Sequence, residues 1–153
     1  MYLKKLNQES QPEILAINRL CFSPADCWSE EDWAELLADE RALYYALLEN
    51  GRIVGNIFLY NWQGERDFLK IMNLGIHPDH RGRGLACRLL QRAAEELKAS
   101  GLERCCGETR ESNHAMRRAF ERCGYRLNKT EENYYENPAE SACKYILYRE
   151  ELV

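Results

Sequence analysis

A chain of 153 residues, 45% of them hydrophobic, can bury a core of its own without disulfides or structural metals. Its formal net charge of −4 argues against nucleic acid, whose phosphate backbone demands a basic face, and favours a cationic partner. No run approaches the ~18 apolar residues of a membrane span, and Lys4 and Lys5 lead into no apolar signal segment, so one cytoplasmic domain over 1–153, away from membranes, is expected.

In chain order, residues 2–6 read as a short strand. Ser10 and Glu13 make a capping-box pattern before a helix carrying Ile14, Leu15, Ile17 and Leu20 at helical spacing. Ser29 and Asp32 repeat the signature, opening a second helix to about Asp39 that buries Trp33, Leu36 and Leu37. Ala42–Leu48 and Ile53–Tyr60 flank Asn50-Gly51, a pair that tolerates positive φ and marks a hairpin. Phe68–Ile76 follows as a strand. Leu85, Leu89, Leu90, Ala93, Ala94 and Leu97 then form one face of a helix that stops at Gly101. Glu103–Thr109 is a further strand, Asn113 caps a helix ending at Cys123 and Gly124, and Tyr125–Tyr135 and Ala142–Tyr148 complete the chain as strands. The order predicts an α+β or mixed α/β fold with a central strand-loop-helix-strand crossover. Seven cysteines, without CxxC pairs or Cys/His ligand spacing, read as reduced thiols, mostly in the core, with no metal site.

The segment from Leu74 to Ala86 carries the most chemistry. An apolar strand breaks at Pro78 into a loop holding Arg81, Gly82, Arg83 and Gly84, and that loop runs straight into a helix. First-turn N–H groups at the positive end of the helix dipole, approachable past the two glycines, suit a pyrophosphate, and the arginines can add bidentate charge. A dinucleotide fingerprint would need glycine where Cys87 stands, and a P-loop would need a Gly-Lys-Ser/Thr phrase, so neither fits.

What remains, Arg81-x-x-Gly84-x-Ala86 after Ile76-His77-Pro78, resembles the acetyl-coenzyme A signature of the GNAT N-acetyltransferase superfamily. Ser112-Asn113-His114-Ala115 and Phe120 through Tyr125 extend the likeness over essentially the whole chain. Trp28-Ser29 and Asn133-Tyr134-Tyr135 bring it nearest to the RimI-type ribosomal-protein-alanine N-acetyltransferases, with an extra Ser23–Cys27 stretch after Phe22. The resemblance implies a central twisted mixed sheet of about seven strands flanked by about four helices.

It also implies roles. The backbone of Leu74, Gly75 and Ile76 would hold the pantetheine arm, Arg81, Gly82, Arg83, Gly84, Leu85 and Ala86 the pyrophosphate, and the Asn113 side chain the arm, alongside its part as a helix cap. Glu108, on one strand face with Cys106 and Arg110, would be the general base, or else the partner of Arg110 or Arg104 in a salt bridge. An α-amine, with a pKa of about 7.7–8.0, asks less of such a base than a lysine amine at about 10.4. Phe120 stands where the family usually has a tyrosine that protonates the departing thiolate. Tyr134, Tyr135 and Tyr125 are the candidate substitutes, Tyr134 first, with Trp28 and Tyr135 lining the substrate groove. Acidic clusters at Glu30–Asp32, Glu131-Glu132 and Glu136 with Glu140 could steer a cationic acceptor. His77, His80 and His114 are given no role. The reaction implied is acetyl transfer from acetyl-coenzyme A to a protein N-terminus, to another amine-bearing peptide or to a small amine. A non-catalytic acyl-coenzyme A-binding module is the alternative that Phe120 motivates. The oligomeric state is not legible.

Overall fold

The computed structural model describes residues 1–62 and 68–152. The strands are β1 (Tyr2–Leu6), β2 (Ala42–Glu49), β3 (Arg52–Trp62), β4 (Phe68–Ile76), β5 (Arg104–Arg110), β6 (Arg126–Tyr135) and β7 (Glu140–Tyr148). They form one seven-stranded sheet in the order β1-β2-β3-β4-β5-β7-β6, antiparallel except for the parallel β4–β5 pair. Four helices flank it: α1 (Gln11–Cys21), α2 (Glu30–Leu37), α3 (Leu85–Ser100) and α4 (His114–Arg122).

Local chemistry explains most boundaries. Asn50 (φ 52°) and Gly51 (φ 77°) both take left-handed backbone, turning β2 directly into β3 with Glu49 opposite Arg52. Ser29 Oγ accepts the Asp32 N–H at 3.1 Å, as the capping pattern predicts. The corresponding box at Ser10 does not form. Instead Asn7 caps a 3₁₀ turn over Gln8–Ser10 through the Glu9 N–H, and α1 starts behind that turn with Pro12 in its first positions. The second helix also stops short of Asp39, whose carboxylate accepts from the Arg41 N–H and the Tyr60 hydroxyl.

The central strands are buried on both faces, while the edge strands β1 and β6 are largely exposed. α3 and α4 cover one, where Leu89, Leu90, Ala93, Leu97 and Phe120 meet Ile57, Leu59 and Tyr145. α1 and α2 cover the other, where Ile14, Trp33 and Leu37 meet Tyr44, Ala46 and Phe58. Alternation along β3 feeds the two layers in turn, which is why its sequence reads as an almost unbroken apolar run. Leu20, expected on the apolar stripe of α1, is 55% exposed, while Asn18 is buried in its place. Leu36 is half-buried rather than buried. The cysteines are all free thiols, but only Cys105 and Cys143 are buried; the others sit at half-buried edges, so the reading of a mostly core location is corrected.

The parallel seam positions the site. β4 and β5 pair only at Leu69–Cys105 and Lys70–Cys106, and beyond those residues the strands part. Just past the last of these pairs, β4 carries an extra residue, Met72, against β3, between the Leu59–Ile71 and Phe58–Asn73 pairs. Phe120 fills the base of the opening: a Cβ on Gly107 of β5 would lie 2.8 Å from its ring.

Candidate active site at the split between two strands

Two cavities meet in this opening. The first, of about 570 Å³, lies between β4, the glycine loop and the starts of α3 and α4. Leu74, Gly75, Ile76, Arg81, Gly82, Gly84, Leu85, Ala86 and Asn113 all line it, so the structure brings together every predicted cofactor-holding residue except Arg83. Arg83 is exposed beside Glu49, which the His80 ring at 2.7 Å, and secondarily Arg83, hold below the ordinary carboxylate range.

Gly82 (φ 80°) and Gly84 (φ 74°) adopt left-handed backbone with open space where a side chain would be. Gly84 therefore starts α3 with no side-chain cap, and the first turn holds no acidic residue. Its N–H groups are left for an anion, in the field of the helix dipole. Arg81 behaves differently from expectation. Its Nε donates to Ile76 O at 3.1 Å and its Nη2 to Cys21 O at 3.4 Å, tying the loop to the ends of β4 and α1. Gly75 is needed for a close approach: a Cβ there would fall 2.9 Å from the Cβ and Sγ of Cys21. Burial raises that thiol to about 11 despite Arg81, so Cys21 is no nucleophile at neutral pH. Asn113 lines the cleft while its Oδ1 accepts the Met116 N–H at 3.2 Å, so the cap is real.

The second cavity, of about 400 Å³, opens on the other side of the split and shares Phe22, Leu74, Asn113 and Met116 with the first. Trp28, Glu108, Tyr134 and Tyr135, the four residues expected on the acceptor side, all line it. Trp28 is held by Trp33, its ring centroid 4.6 Å away. Glu108 Oε1 accepts from the Tyr134 hydroxyl at 2.6 Å. Lys70 Nζ lies 3.4 Å from the same oxygen, and Lys144 Nζ lies 3.5 Å from Oε2, which is buried and has no hydrogen-bond donor among the described residues. The ion-pair partners of Glu108 are thus lysines of the two neighbouring strands, not Arg110 or Arg104. Burial would raise the Glu108 carboxyl, but the Tyr134 hydroxyl, Lys70 and Lys144 outweigh it and hold the group below its ordinary value.

The hydroxyls separate by environment. Tyr134 reaches Glu108 because β6 carries extra residues between Glu131 and Tyr135, with Asn133 at φ 53°, and its ring passes under Lys144 Nζ, 4.7 Å from the centroid. Burial, then the Glu108 hydrogen bond and charge, push its phenol well up, so it holds its proton and is a poor acid. Tyr125 is buried, with its hydroxyl donating to Cys105 Sγ at 3.3 Å, and it lines neither cavity. Phe120 stacks on Tyr145 with centroids 4.8 Å apart. Much of the acidic charge is spent locally, with Glu131 on Lys144 at 3.1 Å and Glu140 on Arg110 at 3.3 Å. Sequence reasoning missed Lys70 and Lys144 as members of the site, and took Arg110 only as an alternative ion-pair partner of Glu108, where the structure pairs it with Asp26 and Glu140. Only the period-2 alternation that places Lys70 and Lys144 half-exposed on their strands could have hinted at the first two.

The family model described as acetyltransferase (GNAT) family matches residues 11–125. The chain belongs to the GNAT acetyltransferase family. It is an acyltransferase by that membership. A protein named acetyltransferase from Yersinia pestis is 33% identical over 101 residues, covering 66% of this chain and 70% of that protein. Among solved structures, the ribosomal-protein-S18-alanine N-acetyltransferase of Escherichia coli superposes with a TM-score of 0.85 at 25% identity, over 99% of this chain and 98% of that one. Arabidopsis thaliana NAA60 in complex with acetyl-CoA superposes at 0.81 and 14% identity, over 96% of this chain and 97% of that one, a likeness of fold. The seven-stranded mixed sheet with four flanking helices is the GNAT arrangement. Among the described residues no group of His, Cys, Asp and Glu is placed to hold a metal ion, and no helix is long and apolar enough to cross a membrane.

Proposed function

We propose that this GNAT protein transfers the acetyl group of acetyl-coenzyme A directly to a primary amine in a ternary complex, and that the amine is the α-amine of a protein N-terminus. One observation carries the reading: the two cavities join at the β4–β5 split, one ending at an uncapped helix N-terminus and the other holding the Glu108 carboxylate. The first fits acetyl-coenzyme A, because the open side of Gly82 and Gly84 admits a pyrophosphate to the amides of α3. Leu74, Gly75 and Ile76 would hold the pantetheine arm by their backbone and Asn113 by its amide. When bound, acetyl-coenzyme A supplies a thioester as the acetyl donor.

In the second cavity Glu108, flanked by Lys70 and Lys144, is anionic at neutral pH and keeps its Oε2 free of hydrogen-bond donors among the described residues. Held low by its neighbours, it is a weak base. That suits an α-amine, partly neutral already at a pKa of about 7.7–8.0, better than a lysine amine at about 10.4. The amine nitrogen becomes acidic as it forms its new bond, and Glu108 then accepts the proton directly or through water. Phe120 donates none, but a thiol of pKa about 8.5 is a tolerable anionic leaving group near neutrality. Trp28 and Tyr135 would flank the acceptor chain. The activity named for the E. coli neighbour, on an alanine of a ribosomal protein, supports this choice of acceptor.

The reading is tested with acetyl-coenzyme A and three sets of acceptors: peptides with free N-termini, N-blocked peptides carrying lysine, and small metabolic amines including a polyamine. Acetylation of the free N-termini is expected. Turnover confined to lysines or small amines overturns the proposed acceptor; no turnover with any set overturns the transfer itself.

A further inference from the structure

Arg110 ends β5 at the outer edge of the second cavity, and no step of the proposed reaction uses it. Its side chain is only 16% exposed, and all five of its N–H donors find acceptors. Nε and Nη2 fork onto the two carboxylate oxygens of Asp26, each at 3.0 Å. Nη1 donates to Pro138 O at 2.8 Å and Glu140 Oε1 at 3.3 Å, and Nη2 also donates to Glu136 O at 2.9 Å. The guanidinium lies over the Tyr135 ring, 4.5 Å from its centroid. Glu140 in turn accepts the Ser112 N–H at 2.5 Å. One cation thus binds the turn after α1 to the connection between β6 and β7 and, through Glu140, to the loop after β5.

The turn it holds has few other ties: Cys27 Sγ donates to Asn18 O at 3.6 Å and to Phe22 O at 3.7 Å. Pro24–Asp26 is a single 3₁₀ turn that buries none of its residues, so apolar packing does not set its place. Asp26 and Tyr135, the residues that Arg110 grips from either side, both line the cavity. The fork geometry is particular to arginine: a lysine ammonium keeps the charge but cannot hold a carboxylate in bidentate fashion while reaching two carbonyls.

We propose that Arg110 is the residue that sets acceptor specificity, by latching the 23–27 turn to the β6–β7 connection and so fixing Asp26 and Tyr135 as the outer wall of the acceptor cavity. The inference rests on the reading of that cavity as the acceptor site. It makes Arg110 a positioning residue, acting through the two wall residues rather than on the reacting atoms.

The test compares wild type with Arg110→Lys, Asp26→Asn and the double variant. Initial rates are measured with a free-N-terminal peptide, or with whichever amine the wild type acetylates. Arg110→Lys should raise the acceptor KM by about ten- to a hundredfold, as expected for a displaced binding wall, with kcat falling less and the acetyl-coenzyme A KM unchanged. Asp26→Asn should raise the acceptor KM by a smaller factor, and the double variant should fall short of the product of the two. Hydrogen exchange should quicken at 22–28 and 136–140 but not at 81–88. An unchanged acceptor KM, an equal rise in both KM values, or fully multiplicative effects would each overturn the specificity role. Unchanged exchange in the two segments overturns the latch even if the wild type acetylates none of the amines, a result that would separately remove the proposed function.

Discussion

Tyr134, on the edge strand β6, reaches over β7 to place its hydroxyl 2.6 Å from Glu108 Oε1 on β5. The donor stabilises the carboxylate, and so does the pair of lysines, Lys70 and Lys144, on the strands either side of it. A half-buried carboxylate between two cations is a fixed anion first and a base second.

Glu108→Gln should therefore lower kcat/KM by about 10²–10⁴-fold while leaving acetyl-coenzyme A affinity unchanged. Release of the coenzyme A thiol under initial-rate conditions, together with calorimetric titration of the donor, measures both. A pH–rate profile identical in shape to that of the wild type would remove Glu108 as the proton acceptor.

The same carboxylate makes stability depend on pH. Its folded value lies below the ordinary 4.5, so its ion pairs contribute fully at neutral pH, and the contribution fades as pH falls through the folded value. The melting-temperature gap between wild type and Glu108→Gln should be widest near pH 7 and shrink below 4.5. A gap that widened in acid would contradict the assignment.

Tyr134→Phe removes the donor but keeps the ring beside Lys144. The Glu108 carboxyl should rise towards its ordinary range, and the acid limb of kcat/KM should move to higher pH. Because the phenol holds its proton, no alkaline limb should vanish with it. Loss of such a limb would restore Tyr134 as the acid.

Tyr125→Phe separates packing from chemistry. The hydroxyl is buried on Cys105, so kcat should stay within about twofold while denaturant unfolding shows a loss of about 1 kcal/mol. A large fall in kcat with unchanged stability would point to a catalytic hydroxyl after all.

Two glycine variants distinguish a clash from backbone strain. Gly75→Ala drives a Cβ into Cys21 and should cost about 1–3 kcal/mol and raise the acetyl-coenzyme A KM. Gly84→Ala has room for its Cβ but needs φ near 74°, and should cost about 1–2 kcal/mol. Equilibrium unfolding and donor kinetics read both.

The parts of the molecule written in short stretches were legible in advance. Asn50-Gly51 announced its turn, Gly101 and Gly124 stopped their helices in left-handed backbone, and the Gly82–Gly84 loop met the start of α3 as expected. At Ser10 the pattern misled, because Asn7 offered an earlier cap and a 3₁₀ turn took up the intervening residues. Leu20 followed the helical period yet lies on the exposed end of α1. Contacts between distant positions were not legible at all. Lys70 and Lys144 meet Glu108 only because β4 and β7 flank β5, and Arg110 meets Asp26 across 84 residues of sequence. Composition does not encode such meetings; strand order does.

The short seam between β4 and β5 has a mechanical corollary. Four antiparallel strands stand on one side of it and three on the other, joined by the pairing of Leu69–Cys105 and Lys70–Cys106. A small rotation about this joint would widen or narrow the gap between the two blocks without breaking any other strand pairing. α3, which packs on β3, β4 and β5, spans the joint like a splint and limits that rotation. The opening between the two strands thus lies at the free edge of this joint, and α3 is a helix that bridges it.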